Sequence, residues 1–146
     1  MSKIELIPYI SNTGSFQIFY PKDFHIEEDD DGIVTITSPE SYSILTLSGY
    51  KASLDVDEKV LTDFFQEFLE DYTPLSEISK EITIQRLLLE CTFRKDKINW
   101  IWWAVAKENQ LVMVSVNSED ELSKEGYNLY RYLIDQMEIY PSAFED

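Results

Sequence analysis

The stretch "INWIWWAVA" at residues 98–106 constrains the fold more than any other part of this 146-residue chain. In a strand, Trp103 and Val105 would point to one face and Trp100 and Trp102 to the other, because strand side chains alternate. A strand that is apolar on both faces needs a covering layer on each side. The sequence therefore predicts a central strand in a layered structure, with at least two of the tryptophans packed in the core.

Alternation of apolar and polar residues predicts further strands, which fall into two groups of three. Turn-forming residues separate the members of each group, so each group is interpreted as an antiparallel β-meander. The first group covers residues 15–21, 32–39 and 43–51, and the second covers residues 83–93, 98–106 and 111–116.

A long amphipathic helix is predicted between the two groups. Apolar residues from Val56 to Tyr72 recur at intervals of three and four, and polar residues fill the opposite face. Asp55 is the expected N-cap, with Glu58 three residues later, and Pro74 ends the helix.

A second helix is predicted after the last strand. Ser118 and Glu121 match the S-x-x-E capping pattern, and apolar spacing continues to about residue 138. Gly126 lies on the apolar stripe of this helix, where the missing side chain would permit close approach to the sheet.

The order of elements, β-β-β, α, β-β-β, α, predicts an α+β fold. Its antiparallel sheet of six to seven strands would carry helices on both faces, as an α/β/α sandwich. The length favours a single domain spanning residues 1–146, with a core over about residues 13–140, and no repeat or linker interrupts the pattern.

Several segments resemble the PsbP-like fold. These are the entry strand "FQIFYPKDF", a short hairpin that ends in "TITSP", the long helix, the three-strand meander and the closing helix. That fold is shared by photosystem PsbP proteins, Ran-binding Mog-type proteins and bacterial DcrB-like lipoproteins. The resemblance covers roughly residues 13–140 and implies an architecture, and no residue matches a Ran-binding surface.

The charge balance bears on the kind of partner. Lys and Arg number 12 against 28 Asp and Glu, which gives a formal net charge of −16. This charge repels nucleic acid and anionic membranes and speeds encounter with cationic proteins. The first residues lack a signal-peptide pattern, and the longest apolar run is shorter than the roughly 20 residues of a membrane helix. We therefore expect a cytoplasmic protein without nucleic acid or membrane partners.

Residues with catalytic or ligating chemistry are few. His25 and Cys91 are the single histidine and the single cysteine, so a disulfide within the chain is excluded and a zinc site is not expected. A Cys–His nucleophile pair is the functional alternative, but Cys91 lies on an apolar strand face with Leu89 and Phe93, which favours a core role. The 4 glycines form no phosphate-binding loop. We predict no catalytic residue, metal or cofactor.

Five consecutive acids precede Gly32 in the stretch "HIEEDDDGIV". Asp29, Asp31 and Gly32 match a calcium-loop register that starts at Glu27, but Ser38 stands where the bidentate glutamate belongs. The flanking residues alternate like strands, whereas a calcium-binding hand needs helices. A hairpin turn with solvated acids is therefore favoured.

These acids and the polar face of the first helix form the candidate partner-binding surface. A charge run is commonly a solvated face, and recognition of a basic protein is the functional alternative. The leading hypothesis is a non-enzymatic binding protein, in one form an immunity or inhibitor protein. The alternatives are a small-ligand-binding or hydrolytic domain with a pocket between sheet and helix, and a trafficking or assembly factor. The candidate residues are Glu27, Glu28, Asp29, Asp30, Asp31, Asp63, Glu67 and Glu70.

Overall fold

Eleven short and long strands form two antiparallel sheets in the part of the chain that the computed structural model describes, residues 5–39 and 43–141. In chain order they are β1 (Leu6–Ile10), β2 (Phe16–Pro21), β3 (His25–Glu28), β4 (Val34–Thr37), β5 (Ile44–Lys51), β6 (Thr73–Pro74), β7 (Ser79–Ile82), β8 (Leu87–Lys95), β9 (Ile98–Lys107), β10 (Gln110–Ser118) and β11 (Glu138–Ile139).

The large sheet has eight strands and the small sheet has three. The large sheet runs in the order β3-β4-β5-β10-β9-β8, and β6 and β7 pair one after the other with β8 at the far edge. The small sheet has the order β1-β2-β11. Each pairing is antiparallel, as predicted.

Two helices cover opposite faces of the large sheet. Helix α1 (Glu58–Phe68) buries Leu61 and Phe65 against β8, β9 and β10. Helix α2 (Lys124–Gln136) buries its own apolar residues on the other face, in one core with β2 and β11 of the small sheet. The predicted α+β sandwich with helices on both faces is confirmed.

Strand β9 shows the predicted alternation. Trp103 is fully buried on the α2 side, whereas Trp102, 8 % exposed, and the partly buried Trp100 lie on the α1 side. The tryptophans therefore belong to two cores separated by the sheet, and the core interpretation is confirmed.

The prediction was wrong about the first meander. Strand β2 does not join β4 and β5, because it pairs with β1 and β11 in the small sheet. The third strand of that meander is the charged segment β3, which pairs with β4 from His25 opposite Thr37 to Glu28 opposite Val34. Alternation of apolar and polar residues identifies a strand but not its partner. The predicted number of strands was also too low.

Both predicted helix starts were wrong. Helix α1 begins two residues later than expected, with Asp57 as the N-cap whose Oδ1 accepts the Val60 N–H at 2.8 Å. Asp55 lies two residues before this cap and outside the helix, where the N–H of the next residue, Val56, is bound to the carbonyl of Glu108 at 2.8 Å. That bond ties residue 56 to the β9–β10 turn outside the helix.

Helix α2 starts at the N-cap Ser123, whose Oγ accepts the Gly126 N–H at 3.0 Å. Ser118 is the last residue of β10, opposite Asn99, because the sheet ladder extends two residues further than predicted. A side chain at Gly126 would meet Leu122 at 3.1 Å, so the glycine permits close packing of the chain before the helix and not of the sheet.

Candidate functional site

The acidic run Glu27–Asp31 lies at the β3–β4 hairpin, and two of its acids hold that hairpin in place. Glu28 accepts the Tyr9 hydroxyl at 2.6 Å, and this hydrogen bond raises the pKa of Tyr9 to about 12. Asp29 accepts the N–H groups of Asp31 and Ile33, both at 2.9 Å. The predicted hairpin turn is confirmed, although Glu28 is partly buried.

The other acids of the hairpin face solvent. Glu27 is bound to Nε2 of His25 at 2.9 Å, and both side chains are about 70 % exposed (69 % for His25 and 72 % for Glu27). Asp30 and Asp31 are exposed, and within residues 5–39 and 43–141 their carboxylates have no hydrogen-bond or ion-pair partner.

The three acids that the sequence placed on the first helix are all exposed, but Glu70 lies two residues beyond the end of α1, in the turn that follows it. Asp63 is paired with Lys59 at 2.8 Å, one helical turn earlier. Among the described residues, the carboxylates of Glu67 and Glu70 have no partner.

The two groups of acids do not form one patch. The hairpin belongs to β3, an edge strand of the large sheet, whereas α1 packs on β8, β9 and β10. Strands β4 and β5 lie between them, and three strand spacings amount to about 14 Å. A partner would have to span this distance to contact both groups, and binding by either group stays a prediction.

His25 and Cys91 do not form a nucleophile pair. His25 is on β3 and Cys91 on β8, and the four strands between them separate the two residues by about 24 Å. Cys91 is 2 % exposed and its Sγ lies 3.3 Å from the Ser76 carbonyl, so the thiol is a core group. The described part of the chain contains no cluster of three or more His, Cys, Asp and Glu residues that could hold a metal ion.

A groove of about 550 Å³ lies beside α1, between the helix and the sheet edge formed by β6 and β7. Its apolar lining residues include Leu69, Ile78, Cys91 and Phe93. The core directly beneath α1 is filled, since Leu61 and Phe65 are fully buried, so the open space lies along the flank of the helix.

Acidic residues form part of the groove rim. Glu70 lines it from the turn after α1, and Glu77 lines it from the segment between β6 and β7. Neither carboxylate has a partner among the described residues. Glu70 is the one predicted acid that lines the groove, whereas Glu77 was not predicted.

The outer wall of the groove is an unpaired sheet edge. All residues of β6 and β7 are exposed, and no described strand pairs with their outer side. The segment between them stays attached to β8, because Leu75 donates its N–H to the Thr92 carbonyl at 2.8 Å and Ser76 Oγ accepts the Thr92 N–H at 3.1 Å.

An aromatic cluster closes one end of the groove. The Tyr72 ring lies edge-on to Phe93 and Trp102, at centroid distances of 5.8 Å, and Lys95 Nζ lies 4.6 Å from the Tyr72 centroid. Burial raises the pKa of Tyr72.

A polar network lies on the opposite face, beneath α2. Glu90 accepts hydrogen bonds from Trp103 Nε1 at 2.5 Å and from the Tyr127 hydroxyl at 2.7 Å, and Arg131 donates to it at 3.3 Å. Burial and the bond to Glu90 raise the pKa of Tyr127.

Arg131 extends this network to two further acids. It binds Glu81 on β7 at 2.6 Å and Asp135 at 3.1 Å. Burial disfavours its charged form, but the bonds to these carboxylates prevail and raise the pKa of Arg131. The network fastens α2 to β7 and β8, and its polar groups satisfy one another, which indicates a structural role.

Comparison with known proteins gives similarities in structure alone, since no protein family and no curated protein matches the sequence. Cyanobacterial PsbP from Synechocystis superimposes with a TM-score of 0.71 at 10 % identity, covering 95 % of both chains. The Ran-binding protein Mog1p from Saccharomyces cerevisiae gives a TM-score of 0.60 at 9 % identity, covering 95 % of this chain and 97 % of Mog1p.

The chain has a PsbP-like fold. A structure from Bacteroides thetaiotaomicron also matches, with a TM-score of 0.62 at 16 % identity over 95 % of this chain. The chain spans 50 % of the length of that Bacteroides structure. At these identities the PsbP-like fold is what is shared, and function has to be argued from sites.

Within this PsbP-like fold, no described helix has the length and the apolar content that crossing a membrane would require. A pocket between sheet and helix was one alternative predicted from the sequence, but the residues that form the outer wall of the groove beside α1 were not identified. Its outer wall comes from residues 73–82, "TPLSEISKEI", where no alternation of apolar and polar residues marks a strand. The one indication in the sequence was that the segment between Pro74 and the next predicted strand had been assigned to no element, although it is long enough to hold a strand.

Proposed function

We propose that this chain is a non-enzymatic protein-binding domain whose partner has a basic surface. The supporting observation is a set of exposed carboxylates that the described structure does not use. They are the acids of the predicted partner-binding surface that are left when two groups are set aside: the structural acids Glu28 and Asp29, and the paired acids Glu27 and Asp63. The set comprises Asp30, Asp31, Glu67 and Glu70.

Unpaired surface acids act mainly on encounter and on partner choice. A net charge of −16 attracts cationic proteins over a range that salt shortens, and it repels anionic competitors. A protein of the same fold, Mog1p, is named for binding the protein Ran, which gives a precedent for a protein-binding role.

The partner could be of two kinds. In the immunity form of the proposal, the chain covers a basic toxin and blocks its activity. In the trafficking or assembly form, it binds a cellular protein without inhibiting it. An activity assay of the captured partner, with and without this chain, distinguishes the two.

Binding of a small ligand is the second candidate function. The groove beside α1 favours it, because a volume of about 550 Å³ lies within the range of ligand pockets. A hydrolytic form of this candidate would in addition require turnover that depends on a groove carboxylate, and it stays a prediction.

The test is capture of a partner from native lysate, elution with salt, and titration of the purified partner. The variants Asp30→Asn/Asp31→Asn and Glu67→Gln/Glu70→Gln remove the two acidic groups separately. We expect at least one of them to weaken binding about two- to tenfold at low salt.

The variant Glu119→Gln/Glu121→Gln is the matched control, because it also removes two negative charges from exposed positions. Its affinity should stay within about twofold of the unmodified chain. A partner whose affinity is insensitive to salt and to both test variants would contradict the proposal.

A further inference from the structure

We propose that β7 and the groove beside α1 bind an extended, basic segment of the partner, which adds a strand to the large sheet. This inference rests on the proposed function and names the place and the form of the interaction. An extended segment gains main-chain hydrogen bonds from a sheet edge, and side-chain pockets beside the edge supply selectivity.

The backbone of β7 offers unused donors and acceptors. Thr83, directly after β7, donates its N–H to the Arg86 carbonyl at 3.0 Å. Along an antiparallel strand, alternate residues point their N–H and C=O groups to opposite neighbours. Glu81 and Ser79, which are two and four residues before Thr83, therefore also point these groups toward β8. Lys80 and Ile82 therefore point their N–H and C=O groups outward, where no described strand pairs with them.

The groove lies on the same side of the sheet as the side chains of Lys80 and Ile82. These residues are opposite Leu89 and Leu87 on β8, which belong to the core beneath α1. In an added strand, residues i and i+2 would face that same side. An apolar side chain at position i then lies on the groove side of the sheet, beside Lys80, which lines the groove and is paired with Glu58 at 3.1 Å.

The charge of the groove rim favours a basic residue at the neighbouring position of the added strand. The unpaired carboxylates of Glu70 and Glu77 at the groove rim favour Lys or Arg at position i+2 or i−2. Exposed apolar side chains continue along this edge, with Ile82 57 % exposed and Ile84 fully exposed at the turn that follows. The expected ligand is therefore an extended segment in which apolar and basic residues share one face.

A second copy of the chain fits this edge poorly. Two copies paired edge to edge would be related by a two-fold axis perpendicular to the sheet, so opposed residues lie on the same side of the sheet. In the registers centred on β7, Lys80 would therefore lie opposite Lys80, or Glu81 opposite Glu81. Like charges directly opposite each other destabilise a strand pair. The net charge of −16 on each copy adds to the repulsion.

The test uses a peptide, KTVTKTV-amide, labelled with fluorescein at its amino terminus, in an anisotropy titration at low salt. In an extended strand its lysines and valines share one face and its threonines lie on the other. Two further peptides serve as comparisons: the same sequence with N-methyl groups on alternate residues, and the acidic peptide ETVTETV-amide with the same label. We expect the basic peptide to bind and N-methylation to weaken binding about tenfold, because it removes main-chain hydrogen bonds. The acidic peptide should not bind.

Variants of Ile82 separate backbone pairing from side-chain contact. Ile82→Pro removes an outward N–H without removing a ladder bond to β8, so it should weaken peptide binding about tenfold. Ile82→Ala keeps the N–H and should weaken binding about threefold at most. If Ile82→Pro disturbs the fold by circular dichroism, the N-methylated peptide still tests the same hydrogen bonds. Equal affinity for the two basic peptides overturns the inference.

Charge variants locate the site. Glu70→Gln/Glu77→Gln should weaken binding about three- to tenfold, whereas the control Glu119→Gln/Glu121→Gln should change it by less than about twofold. If Asp30→Asn/Asp31→Asn weakened peptide binding and Glu70→Gln/Glu77→Gln did not, the site would lie at the hairpin, which would overturn this inference and leave the proposed function standing. Equal binding of the acidic peptide would contradict both. A dimer in sedimentation that Ile82→Pro dissociates would assign the edge to a second copy and overturn the inference.

Discussion

Neighbouring residues of the same type have different roles in this protein. In the run Glu27–Asp31, Glu28 is bound to Tyr9 and to the Asn12 N–H, and Asp29 closes the turn. Asp30 and Asp31 are exposed and unpaired among the described residues. Acids that hold the fold can therefore be separated from acids that are free to bind, which makes charge variants informative.

The Tyr9–Glu28 hydrogen bond should give a stability contribution that depends on pH. Tyr9→Phe should lower the free energy of unfolding by about 0.5–1.5 kcal/mol at pH 8. The folded state raises the pKa of Tyr9 from 10.0 to about 12, so this contribution is complete below pH 10 and declines as the pH rises toward 12.

Urea unfolding of the protein and of Tyr9→Phe at about pH 8 and about pH 11 measures this difference. The control is Tyr132→Phe, at a tyrosine that is 51 % exposed. A stability difference that grows with pH would contradict the assignment.

The position of the α1 N-cap can be tested directly. Asp57→Ala should lower the free energy of unfolding by about 1 kcal/mol, because it leaves the Val60 N–H without its acceptor. Asp55→Ala, at the position that the sequence pattern favoured, should change it by less than about 0.5 kcal/mol. Equal effects in urea unfolding would contradict the observed cap.

At the scale of elements, the two helices are held by different forces. Helix α1 is fixed mainly by apolar packing and by aromatic contacts, such as Phe65 with Phe93 at 6.1 Å and Phe68 with Trp102 at 5.4 Å. It also has an exposed ion pair to the sheet, from Glu58 to Lys80 at 3.1 Å. Helix α2 adds the Arg131 network to its apolar core. A change in salt or a charge variant should therefore affect α2 more than α1.

Arg131→Met should destabilise the protein by about 1–3 kcal/mol. The arginine side chain is 18 % exposed and Glu90 is 20 % exposed, so removal of the cation leaves carboxylates unpaired in a partly desolvated place. The loss should appear in urea unfolding and as faster hydrogen exchange in α2.

The control for this variant is Lys59→Met on α1. Lys59 is 84 % exposed, and loss of its pair with Asp63 should cost less than about 0.5 kcal/mol. If Arg131→Met were as mild as this control, the network would not be what fastens α2.

At the scale of the whole molecule, the net charge of −16 opposes folding through self-repulsion. Raising NaCl from about 20 to about 300 mM shortens the screening length from about 20 Å to about 6 Å. We expect the free energy of unfolding to rise by on the order of 1 kcal/mol over this range. Asp30→Asn/Asp31→Asn should show a smaller rise, and a urea midpoint that falls with salt would contradict this explanation.

The layered fold could be predicted because its strongest signals are local. Strand β9 requires cover on both sides, and the spacing from Val56 to Tyr72 requires one buried helix face. Strands β2, β5 and β9 appear close to where alternation placed them. Segments with few apolar residues, such as β3 and β7, were missed. They are strands because they pair with a neighbouring strand, and their own sequences carry no alternation that would mark them.

The candidate site was predicted only in part, since residues that meet in space are far apart in the chain. Glu70 was among the predicted acids, but the groove also needs Glu77 and Ile78, which become neighbours of α1 when residues 73–82 pair with β8. The acids of the hairpin and of α1 were expected to act together, and the strand order separates them.

The sequence by itself determined the α+β class, the two opposed cores around β9 and the excess of negative charge, because periodicity and composition are properties of the chain. Only the tertiary structure decided that β2 leaves the large sheet, that His25 and Cys91 lie far apart, and that an unpaired edge adjoins a groove. Strand pairing joins residues that are distant in sequence, and its choice depends on the packing of both sheets at once. No local pattern of residues contains that information.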